Sequence, residues 1–434
     1  MLTVRSHADT YDVIVVGGGP SGCAAAWSAA RCGAKVCLLE SSGALGGMAT
    51  MGLVTSWAPF SDQEKIIYRS FAERVFERSK RAMPNVAPDA LDWVPISPEA
   101  LKVIYDEELA EVGVTVEFFA TVVGVEKDGA RISSLYVAKK DGVHAYRASV
   151  FVDGTGDASV AAFADVPFAK GSEEGELQPA TLCFIIANIR EEGLEGVSLF
   201  GYGENSIVQK MIESDRYPLI TQSHFCIDHL ADGIISFNAG HIFDSDGTDP
   251  LRVSDAIRRG RRLAEEYHRA LRELLPEAFG GSFLVATAPL LGVRETRRIQ
   301  GEYVFKVNDY LQRRTFEDEI ARNCYYIDLH QSHSTSDLPE LDAQYLSLYQ
   351  KGESHGIPYR CLVPIGVENL LVGGRAISSD RLSSASLRVM PNCLTTGEAA
   401  GVGAYLSLRD GVSVGAIDTE ELRAILRSRG AYIF

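Results

Sequence analysis

The sequence predicts an α/β protein with a central parallel sheet, a small antiparallel insertion and a second domain of mixed α+β structure. Three observations support this prediction. Short apolar, β-branched runs near both ends of the chain are typical of buried parallel strands. Short β-rich runs separated by Asp-Gly pairs at 128–129 and 141–142 are typical of antiparallel hairpins. A chain of 434 residues is longer than one hydrophobic core organises, so two domains are expected.

The first apolar run, DVIVV at 12–16, leads into a glycine-rich turn. Gly17, Gly19 and Gly22 have the spacing GxGxxG. In this spacing the first glycine makes a tight turn, the second lets a pyrophosphate approach the backbone, and the third lets a helix pack closely on the strand. The turn therefore predicts a dinucleotide-binding site.

The residues after the turn strengthen that prediction. An alanine-rich helix is predicted from Ser21 to about Arg31, and its N-terminus offers free N–H groups to phosphates. A second strand at 35–39 ends at Glu40, which is placed to accept hydrogen bonds from ribose hydroxyls. A chance glycine turn would lack this succession of strand, turn, helix, strand and acid.

Helical and β-rich segments then follow in blocks. Helices are predicted over 62–82 and from Pro98 to about Val112. Residues 114–152 form short β-rich runs, and a buried strand at 150–153 leads into a second glycine-rich turn, GTGDA at 154–158. Because ligands of open α/β sheets bind at the carboxyl ends of strands, we expect both turns at one site.

The rest of the chain divides into a central block and a C-terminal return to buried strand and glycine. The central block lacks a second GxGxxG and contains a long amphipathic helix predicted from Ser254 to Leu274. The C-terminal part has a strand at 369–375 and a helix of small residues that begins near Thr395. The predicted domains are a discontinuous nucleotide domain (1–60, 98–160 and 356–434) and a substrate domain (61–97 and 161–355).

Composition excludes several classes of function. The net charge of −16 argues against nucleic acid and against an anionic membrane surface as partners. No apolar run is long enough to span a membrane, and the first ten residues lack the apolar core of a signal peptide, so a cytoplasmic protein is expected. The eight cysteines form no CxxC pairs, which argues against iron–sulfur clusters, structural zinc and disulfides. We predict no metal site.

Together these motifs resemble the FAD-dependent oxidoreductases of the two-dinucleotide-binding-domain superfamily. The resemblance is carried by the GxGxxG–Glu unit, Gly46-Gly47, GTGDA and the C-terminal segments NLLVGGR and GEAAG. It implies a Rossmann-like FAD-binding domain that holds FAD non-covalently. The FAD-contact residues it implies are Gly17, Gly19, Pro20, Ser21, Gly22, Glu40, Ser41, Gly46, Gly47, Met48, Val122, Val123, Gly156, Asp157, Gly374, Arg375, Thr395 and Thr396.

A narrower resemblance covers the later part of the chain. Four stretches, at 292–303, 325–333, 356–378 and 387–401, are similar to the broad group described simply as FAD-dependent oxidoreductases. That group is poorly defined in substrate, so the resemblance identifies a cofactor more firmly than a reaction. One departure is Ala385, which stands where a glycine is expected before the Ser-x-Arg of the final loop.

Asp328 and His330 are candidates for acid–base chemistry. They alternate on the predicted strand 325–330, so both should point to one face. A histidine beside a carboxylate can act as general acid or base. The alternative is a hydrogen-bonded polar cluster at a strand end without a catalytic role. His333 is assigned to a loop.

Arginines are the candidates for binding an anion. Arg294 shares a segment with Arg297 and Arg298, and a guanidinium offers a planar fork for a carboxylate. The alternative is a charge-paired strand that holds the two domains together. Arg360 and Arg388 enter segments expected near the flavin. Two or more of these arginines in one cluster would imply a polar or anionic substrate.

The predicted function is an FAD-dependent oxidoreductase that transfers a hydride between the flavin and a small polar or anionic organic molecule. The candidate catalytic residues are His330, Arg294, Arg360 and Arg388. Two alternatives stay open: a flavin-dependent monooxygenase, although no WxWxIP stretch is present, and an electron-transfer subunit of a larger complex. A small-molecule substrate is the expected partner, and homo-oligomerisation is left open. Cys393 precedes the small-residue helix, but a covalent flavin link is not evident.

Overall fold

The computed structural model describes residues 4–7, 9–201, 206–330 and 349–434, so His333 lies outside the described residues. The strands are β1 (Val4–Ser6), β2 (Tyr11–Val16), β3 (Val36–Leu39), β4 (Ser56–Trp57), β5 (Val94–Pro95), β6 (Thr115–Glu117), β7 (Thr121–Asp128), β8 (Arg131–Lys139), β9 (Gly142–Tyr146), β10 (Ala148–Asp153), β11 (Phe168–Lys170), β12 (Phe184–Ala187), β13 (Phe225–Ala231), β14 (Ile234–Ala239), β15 (Phe283–Thr287), β16 (Arg297–Ile299), β17 (Glu319–Asn323), β18 (His355–Pro358) and β19 (Leu370–Val372). The helices are α1 (Pro20–Cys32), α2 (Phe71–Arg81), α3 (Pro98–Glu111), α4 (Ser159–Phe163), α5 (Ile207–Ile212), α6 (Pro250–Leu274), α7 (Pro276–Phe279), α8 (Val307–Leu311), α9 (Arg381–Leu387), α10 (Met390–Asp410) and α11 (Thr419–Ser428).

The central sheet confirms the predicted α/β class. Its five strands are parallel and lie in the order β19-β10-β2-β3-β6. The inner strand β2 is almost wholly buried, which explains its continuous apolar run. Strand β19 from the C-terminal part pairs with β10, so both ends of the chain contribute to one sheet. The domain boundaries themselves stay a prediction.

Helices α1 and α10 pack against each other over this sheet. Their small side chains let the two helix backbones approach closely. Helix α10 begins at Met390, five residues earlier than the start near Thr395 that the sequence predicted. Pro391 occupies the first turn of α10, where a missing backbone N–H costs little, and this explains the earlier start.

The antiparallel insertion forms the strands β7, β8 and β9, and β1 from the start of the chain pairs in parallel with β9 to give the sheet β1-β9-β8-β7. Its two hairpins turn at the Asp-Gly positions that the sequence indicated, between the closing pairs Asp128↔Arg131 and Lys139↔Gly142. Strand β10 then returns to the central sheet, where it pairs with β2. The turn 154–158 therefore lies at the carboxyl end of a parallel strand, beside the first glycine turn.

A second sheet, β13-β14-β12-β15, is antiparallel and packs on α6. Helix α6 begins at Pro250, four residues before the predicted start, because the Asp249 side chain accepts backbone N–H groups of Leu251 and Arg252. No helix among the described residues is both long enough and apolar enough to cross a membrane.

Two predicted elements are shorter than expected or missing. The helix predicted over 62–82 is only α2, because Asp62 holds a tight turn by accepting the N–H groups of Glu64 and Lys65. The strand predicted over 325–330 is an extended segment without strand pairing, since β17 ends at Asn323. The prediction that Asp328 and His330 alternate on a strand was therefore wrong, because these residues do not form one.

Candidate active site

The two glycine turns open onto a cleft of about 360 Å³ at the carboxyl ends of the parallel strands. Part of its wall comes from three chain segments that the parallel sheet brings side by side: 16–21, 154–157 and 373–375. This is the edge of an open α/β sheet at which ligands bind.

The first glycine turn fits a pyrophosphate. Gly17 has φ 93° and packs so closely on Gly154 that a Cβ would lie 2.8 Å from its carbonyl. A Cβ on Gly19 would meet no atom within 4 Å, so this position is open toward the cleft. The Ser21 hydroxyl is buried at the cleft wall without a hydrogen-bond partner among the described residues. An oxygen-rich ligand would satisfy it.

Helix α1 adds to the fit because no side chain caps its N-terminus. The first N–H groups of the helix are therefore available to phosphate oxygens. The third glycine of the motif, Gly22, lies behind this wall. A Cβ there would lie 1.7 Å from the Gly17 carbonyl oxygen, so the residue serves the packing of the helix on the turn.

Glu40 is fixed at the far end of the cleft. Its side chain is buried, and its two carboxylate oxygens accept the backbone N–H groups of Gly18 and Ser42, each at 2.6 Å. Oε1 also accepts the Ser41 hydroxyl at 3.3 Å, whereas Oε2 keeps a second lone pair. The carboxylate is therefore prepositioned to accept hydrogen bonds from ribose hydroxyls.

The third wall is held by an ion pair. Arg375 Nη2 lies 2.7 Å from Asp157 Oδ1, and Arg375 Nε donates to the Gly156 carbonyl at 2.7 Å. Met390 and Cys393 from the start of α10 line the same wall, and no side chain caps that helix. Burial raises the pKa of the Cys393 thiol to about 12, so it stays protonated.

Most residues predicted to contact the cofactor line this cleft: Gly17, Gly19, Pro20, Ser21, Glu40, Ser41, Gly47, Met48, Val122, Gly156, Asp157, Gly374 and Arg375. Five others do not line it: Gly22, Gly46, Val123, Thr395 and Thr396. Gly46 donates its N–H to Gly18 behind the wall, and Val123 points to solvent. Thr395 and Thr396 each donate a hydroxyl hydrogen bond to Asn392 inside α10, because the helix starts earlier than predicted.

A polar cluster continues from the cleft wall. Arg388 lines the cleft and donates from Nη2 to Asp328 Oδ2 at 2.9 Å. The other oxygen of that carboxylate lies 3.3 Å from His330 Nε2. His330 Nδ1 in turn lies 2.9 Å from His241 Nε2. We call Arg388, Asp328, His330, His241, His224 and Arg294 the polar cluster.

The segment that carries Asp328 and His330 is held by side chains and not by a sheet. Asn323, at the end of β17, donates to Ser386 of α9, and the Ser386 hydroxyl donates to the Tyr325 carbonyl at 2.5 Å. The backbone N–H of His330 donates to the Gln178 side-chain oxygen at 3.2 Å. These bonds explain why an extended segment without strand pairing still places its side chains accurately.

Arg294 is buried on the other side of the cluster. Its Nη1 donates to the Pro179 carbonyl at 2.8 Å and to Thr181 Oγ1 at 2.9 Å, and its Nη2 lies 3.1 Å from His224 Nε2. Burial and the nearby Arg388 lower the pKa of Arg294 to about 10, so it stays positively charged at neutral pH.

The sequence did not indicate His224 and His241 as candidate site residues. They flank the β13–β14 hairpin, and the pairing Phe225↔Ala239 sets them side by side, with ring centroids 4.6 Å apart. The signal for this pair was the turn Asp232-Gly233, since a hairpin closing there brings the two strand ends together.

Burial sets the protonation of the polar cluster. Burial and Arg294 lower the pKa of His330 to about 4, and burial also lowers the pKa of His224 and His241 well below the ordinary value. Burial alone would raise the pKa of Asp328, but His330, Arg388 and Arg294 together hold it well below its usual range. At neutral pH the cluster therefore contains neutral histidines, one carboxylate and two guanidinium groups.

The three histidines offer ring nitrogens within 4.8 Å of one another, a grouping that can hold a metal ion. The charges beside them weigh against a dication. Two guanidinium groups and one carboxylate already leave a positive charge in a buried region. The cluster therefore favours an anion.

The other predicted arginines lie elsewhere. Arg360 donates from Nε to Asp318 Oδ2 at 2.9 Å, its side chain is 46% exposed, and it does not line the cleft. Arg298 is buried in an ion pair with Glu295, which is the charge-paired alternative of the sequence analysis. Arg297 donates to the Asp157 carbonyl.

Comparison with known proteins gives a family. The model of the family described as "FAD dependent oxidoreductase" matches residues 12–426. No curated protein matches the chain. Similar solved structures include a geranylgeranyl bacteriochlorophyll reductase-like protein from Thermoplasma acidophilum, at 11% identity over 97% of this chain and 84% of that chain, with a TM-score of 0.48.

Two further similar structures are CabE, an aromatic hydroxylase from angucycline biosynthesis, and the flavin-dependent brominase Bmp2. The first is 13% identical over 97% of this chain and 69% of that chain, with a TM-score of 0.48. The second is 13% identical over 97% of this chain and 83% of that chain, with a TM-score of 0.46. Since the family match spans nearly the whole chain, the protein belongs to the FAD dependent oxidoreductase family and is an oxidoreductase whose cofactor is FAD.

Proposed function

We propose that this oxidoreductase transfers a hydride between the flavin and a small polar or anionic organic substrate. The observation that carries the proposal is the chain of contacts from Arg388 at the cleft wall through Asp328 and His330 to His241. Hydride transfer to or from a hydroxyl- or amine-bearing carbon requires that a proton also move. This series of contacts provides an anion-binding group, Arg388, and a histidine pair that can accept a proton, beside one cleft.

The cleft residues divide the binding of FAD among them. The N–H groups at the start of α1, with Gly17 and Gly19, would hold the pyrophosphate, and Glu40 would hold the adenosine ribose. The uncapped N-terminus of α10 would face the flavin ring. FAD, when bound, supplies the hydride-accepting and hydride-donating chemistry. We propose that it is held without a covalent link.

The proton route follows from the hydrogen bonds. With Asp328 ionised, His330 donates its Nε2–H to that carboxylate and presents an unprotonated Nδ1. His241 then donates its Nε2–H to His330. A proton accepted at Nδ1 of His241 can move through its ring to His330, where Asp328 stabilises the imidazolium. Histidine and carboxylate here have the roles that they have in a catalytic triad.

Two arginines support the choice of an anionic substrate. Arg388 is anchored to Asp328 through Nη2, and its buried Nε has no hydrogen-bond partner among the described residues. It can therefore donate to a ligand at the cleft wall. Arg294 is buried with only neutral hydrogen-bond partners in the described chain, and a buried guanidinium without a carboxylate partner is costly. Its charge adds to the positive charge of the polar cluster, which an anionic substrate beside Arg388 would offset.

Anaerobic flavin reduction tests the proposal. The FAD-loaded protein is mixed with a panel of hydroxy acids, amino acids and polyols, and bleaching near 450 nm is followed together with the isotope effect of deuterium at the oxidised carbon. We expect bleaching by an acid, with a primary isotope effect, and a strong loss of rate in Arg388→Gln. Arg360→Gln is the matched control because it removes the same group outside the cleft. Incorporation of labelled dioxygen into product would instead indicate a monooxygenase, and dependence on a co-purifying protein would indicate an electron-transfer subunit.

A further inference from the structure

A second cavity, of about 350 Å³, lies apart from the flavin cleft and shares no lining residue with it. Its described lining is dominated by five aromatic rings and three carboxylates, and it includes no lysine or arginine. We call it the aromatic cavity and use Trp93, Tyr325, Asp62, Asp92 and Glu353 of its lining below. Among them Tyr325 also helps to hold the segment that carries Asp328, and the proposed oxidoreduction does not use the other four.

Trp93 lines the cavity with an unfavourable backbone conformation and an exposed aromatic side chain. Its side chain is 52% exposed, and its backbone has φ 55°, a region that bulky residues rarely adopt. The ring of Tyr325 approaches it edge-on, with centroids 6.1 Å apart. Strain of this kind persists at ligand-binding positions more often than elsewhere. The indole thus lies half-exposed beside the cavity, in contact with the ring of Tyr325.

Asp62 supplies the second observation. Its side chain is wholly buried and lines the cavity, yet its Oδ2 has no hydrogen-bond partner among the described residues. Oδ1 is occupied by the turn N–H groups, and Lys65 Nζ lies 3.5 Å from Oδ2, beyond the range of a strong charge-assisted hydrogen bond. A buried carboxylate oxygen in this state is ready to accept a hydrogen bond from a ligand.

The two other carboxylates set the sign of the charge. Asp92 accepts hydrogen bonds from the backbone and hydroxyl of Ser61, which are neutral groups. Glu353 is paired with Arg313, which does not line the cavity. Burial raises the pKa of Tyr326 to about 12, so its phenol is a neutral group at physiological pH. Among the described residues Asp92 is therefore a lining carboxylate without a cationic partner, and it lies beside aromatic faces.

We propose that the aromatic cavity is a binding site for a small organic ammonium cation. An ammonium group can lie against the face of Trp93 by a cation–π contact and donate to Asp62 and Asp92. The same lining would repel an anion of the kind proposed for the flavin cleft. Tyr325 connects the aromatic cavity with the polar cluster, since its hydroxyl lies 3.5 Å from Asp328 Oδ2.

Calorimetric titration of the FAD-loaded protein with tetramethylammonium and butylammonium chloride tests this proposal. Sodium chloride serves as the ionic-strength control, and glucose and magnesium chloride as probes of other ligand classes. We expect saturable binding of at least one ammonium salt with one site per chain. Asp62→Asn and Trp93→Ala should each weaken it about tenfold or more. Asp89→Asn is the matched control, because it removes a carboxylate, as Asp62→Asn does, from the loop that carries Trp93, at a position outside the cavity lining.

Tryptophan emission gives an independent readout. Trp27 and Trp57 are buried, so an ammonium ligand should change mainly the emission of Trp93. Trp93→Phe keeps an aromatic face and should retain binding while losing the emission change. The proposal fails if neither ammonium salt binds saturably, if the Asp62 and Trp93 variants bind like the wild type, or if glucose or magnesium binds in place of the cations. Since flavin reduction is not measured, these outcomes leave the proposed oxidoreduction untouched.

Discussion

The flavin cleft and the polar cluster meet at Arg388 but are built in different ways. The cleft is made largely of backbone: two glycine turns, two helix N-termini and one carboxylate held by N–H groups. The cluster is made of side chains from separate parts of the chain, joined mainly by contacts between side chains and by one bond from the His330 backbone N–H to Gln178. A backbone site is fixed by the positions where a Cβ is excluded, whereas a side-chain site is fixed by burial and partners. The two regions should therefore respond differently to substitution.

The largest effect is expected where a side chain would enter the backbone site. In Gly22→Ala the added Cβ would lie 1.7 Å from the Gly17 carbonyl oxygen, so α1 must move away from the turn. We expect little soluble protein, or protein with less than about a tenth of the wild-type flavin content. The ratio of absorbance at 450 nm to that at 280 nm measures the flavin content.

Gly19→Ala is the matched control for that change. Gly19 has φ −71°, and a Cβ there meets no protein atom within 4 Å, so the apoprotein should melt at the wild-type temperature. FAD should nevertheless bind more weakly, because the methyl group would enter the space proposed for the pyrophosphate. Equal flavin content in Gly22→Ala and the wild type would contradict the steric account of the turn.

The next largest effect is expected in the polar cluster, where a substitution should slow flavin reduction without changing FAD binding in the cleft. Asp328→Asn keeps the shape of the side chain but removes the charge that stabilises a protonated His330. We expect flavin reduction by the best acid of the panel to slow about 100-fold or more at pH 7, the range typical of lost acid–base catalysis. FAD content should not change, because Asp328 does not line the cleft.

Histidine NMR gives a second measurement that needs no substrate. Asp328 raises the pKa of His330 against the effect of burial, so the pKa should fall below its wild-type value of about 4 in Asp328→Asn. An unchanged titration of His330 would contradict the assigned contact, even if the rate had fallen.

The sequence predicted the backbone region far better than the side-chain region, for a physical reason. Gly17, Gly19 and Glu40 belong to one local strand–turn–helix–strand unit whose geometry follows from their spacing. His224 and His241 become neighbours only through the pairing of β13 with β14. That register depends on the whole antiparallel sheet, so it cannot be predicted from the sequence of either segment alone.

The polar cluster also shows how a prediction can succeed for the wrong reason. Asp328 and His330 do lie together, but on an extended segment held by Ser386 and Gln178 and not on the predicted strand. The helix at the flavin cleft gives the reverse case. The sequence predicted a helix of small residues here, but the helix begins at Met390, with Pro391 in its first turn. Thr395 and Thr396 therefore lie inside the helix and do not line the cleft.

A smaller effect concerns stability against acid. The pKa of His330 is lowered to about 4 in the folded protein, whereas an unfolded histidine has a pKa near 6.5. Between these values the unfolded chain binds more protons, so the free energy of unfolding should fall as the pH drops from about 6.5 to 4. His330→Gln should reduce this pH dependence by about one proton, as measured by urea denaturation at pH 7 and pH 4.5.

Other groups titrate near the same range and define the control. His224 and His241 also have lowered pKa values and act in the same direction as His330. Burial raises the pKa of Asp228 to about 6, which acts in the opposite direction. Only the difference between wild type and His330→Gln isolates His330, and a difference that does not change with pH would contradict the lowered pKa.

The smallest effect is expected at Arg360, and it decides whether the boundary between the regions is correctly drawn. The sequence predicts Arg360 near the flavin together with Arg388, but the structure pairs it with Asp318 at a half-exposed position outside the cleft. A partly exposed pair of this kind contributes about 0.2–1 kcal/mol to stability. Arg360→Gln should therefore change the flavin reduction rate less than about twofold, while Arg388→Gln removes a cleft-lining guanidinium and slows it strongly. A rate loss in Arg360→Gln equal to that in Arg388→Gln would mean that the anion-binding surface extends beyond the polar cluster, and the side-chain region would then have to be redrawn around both arginines.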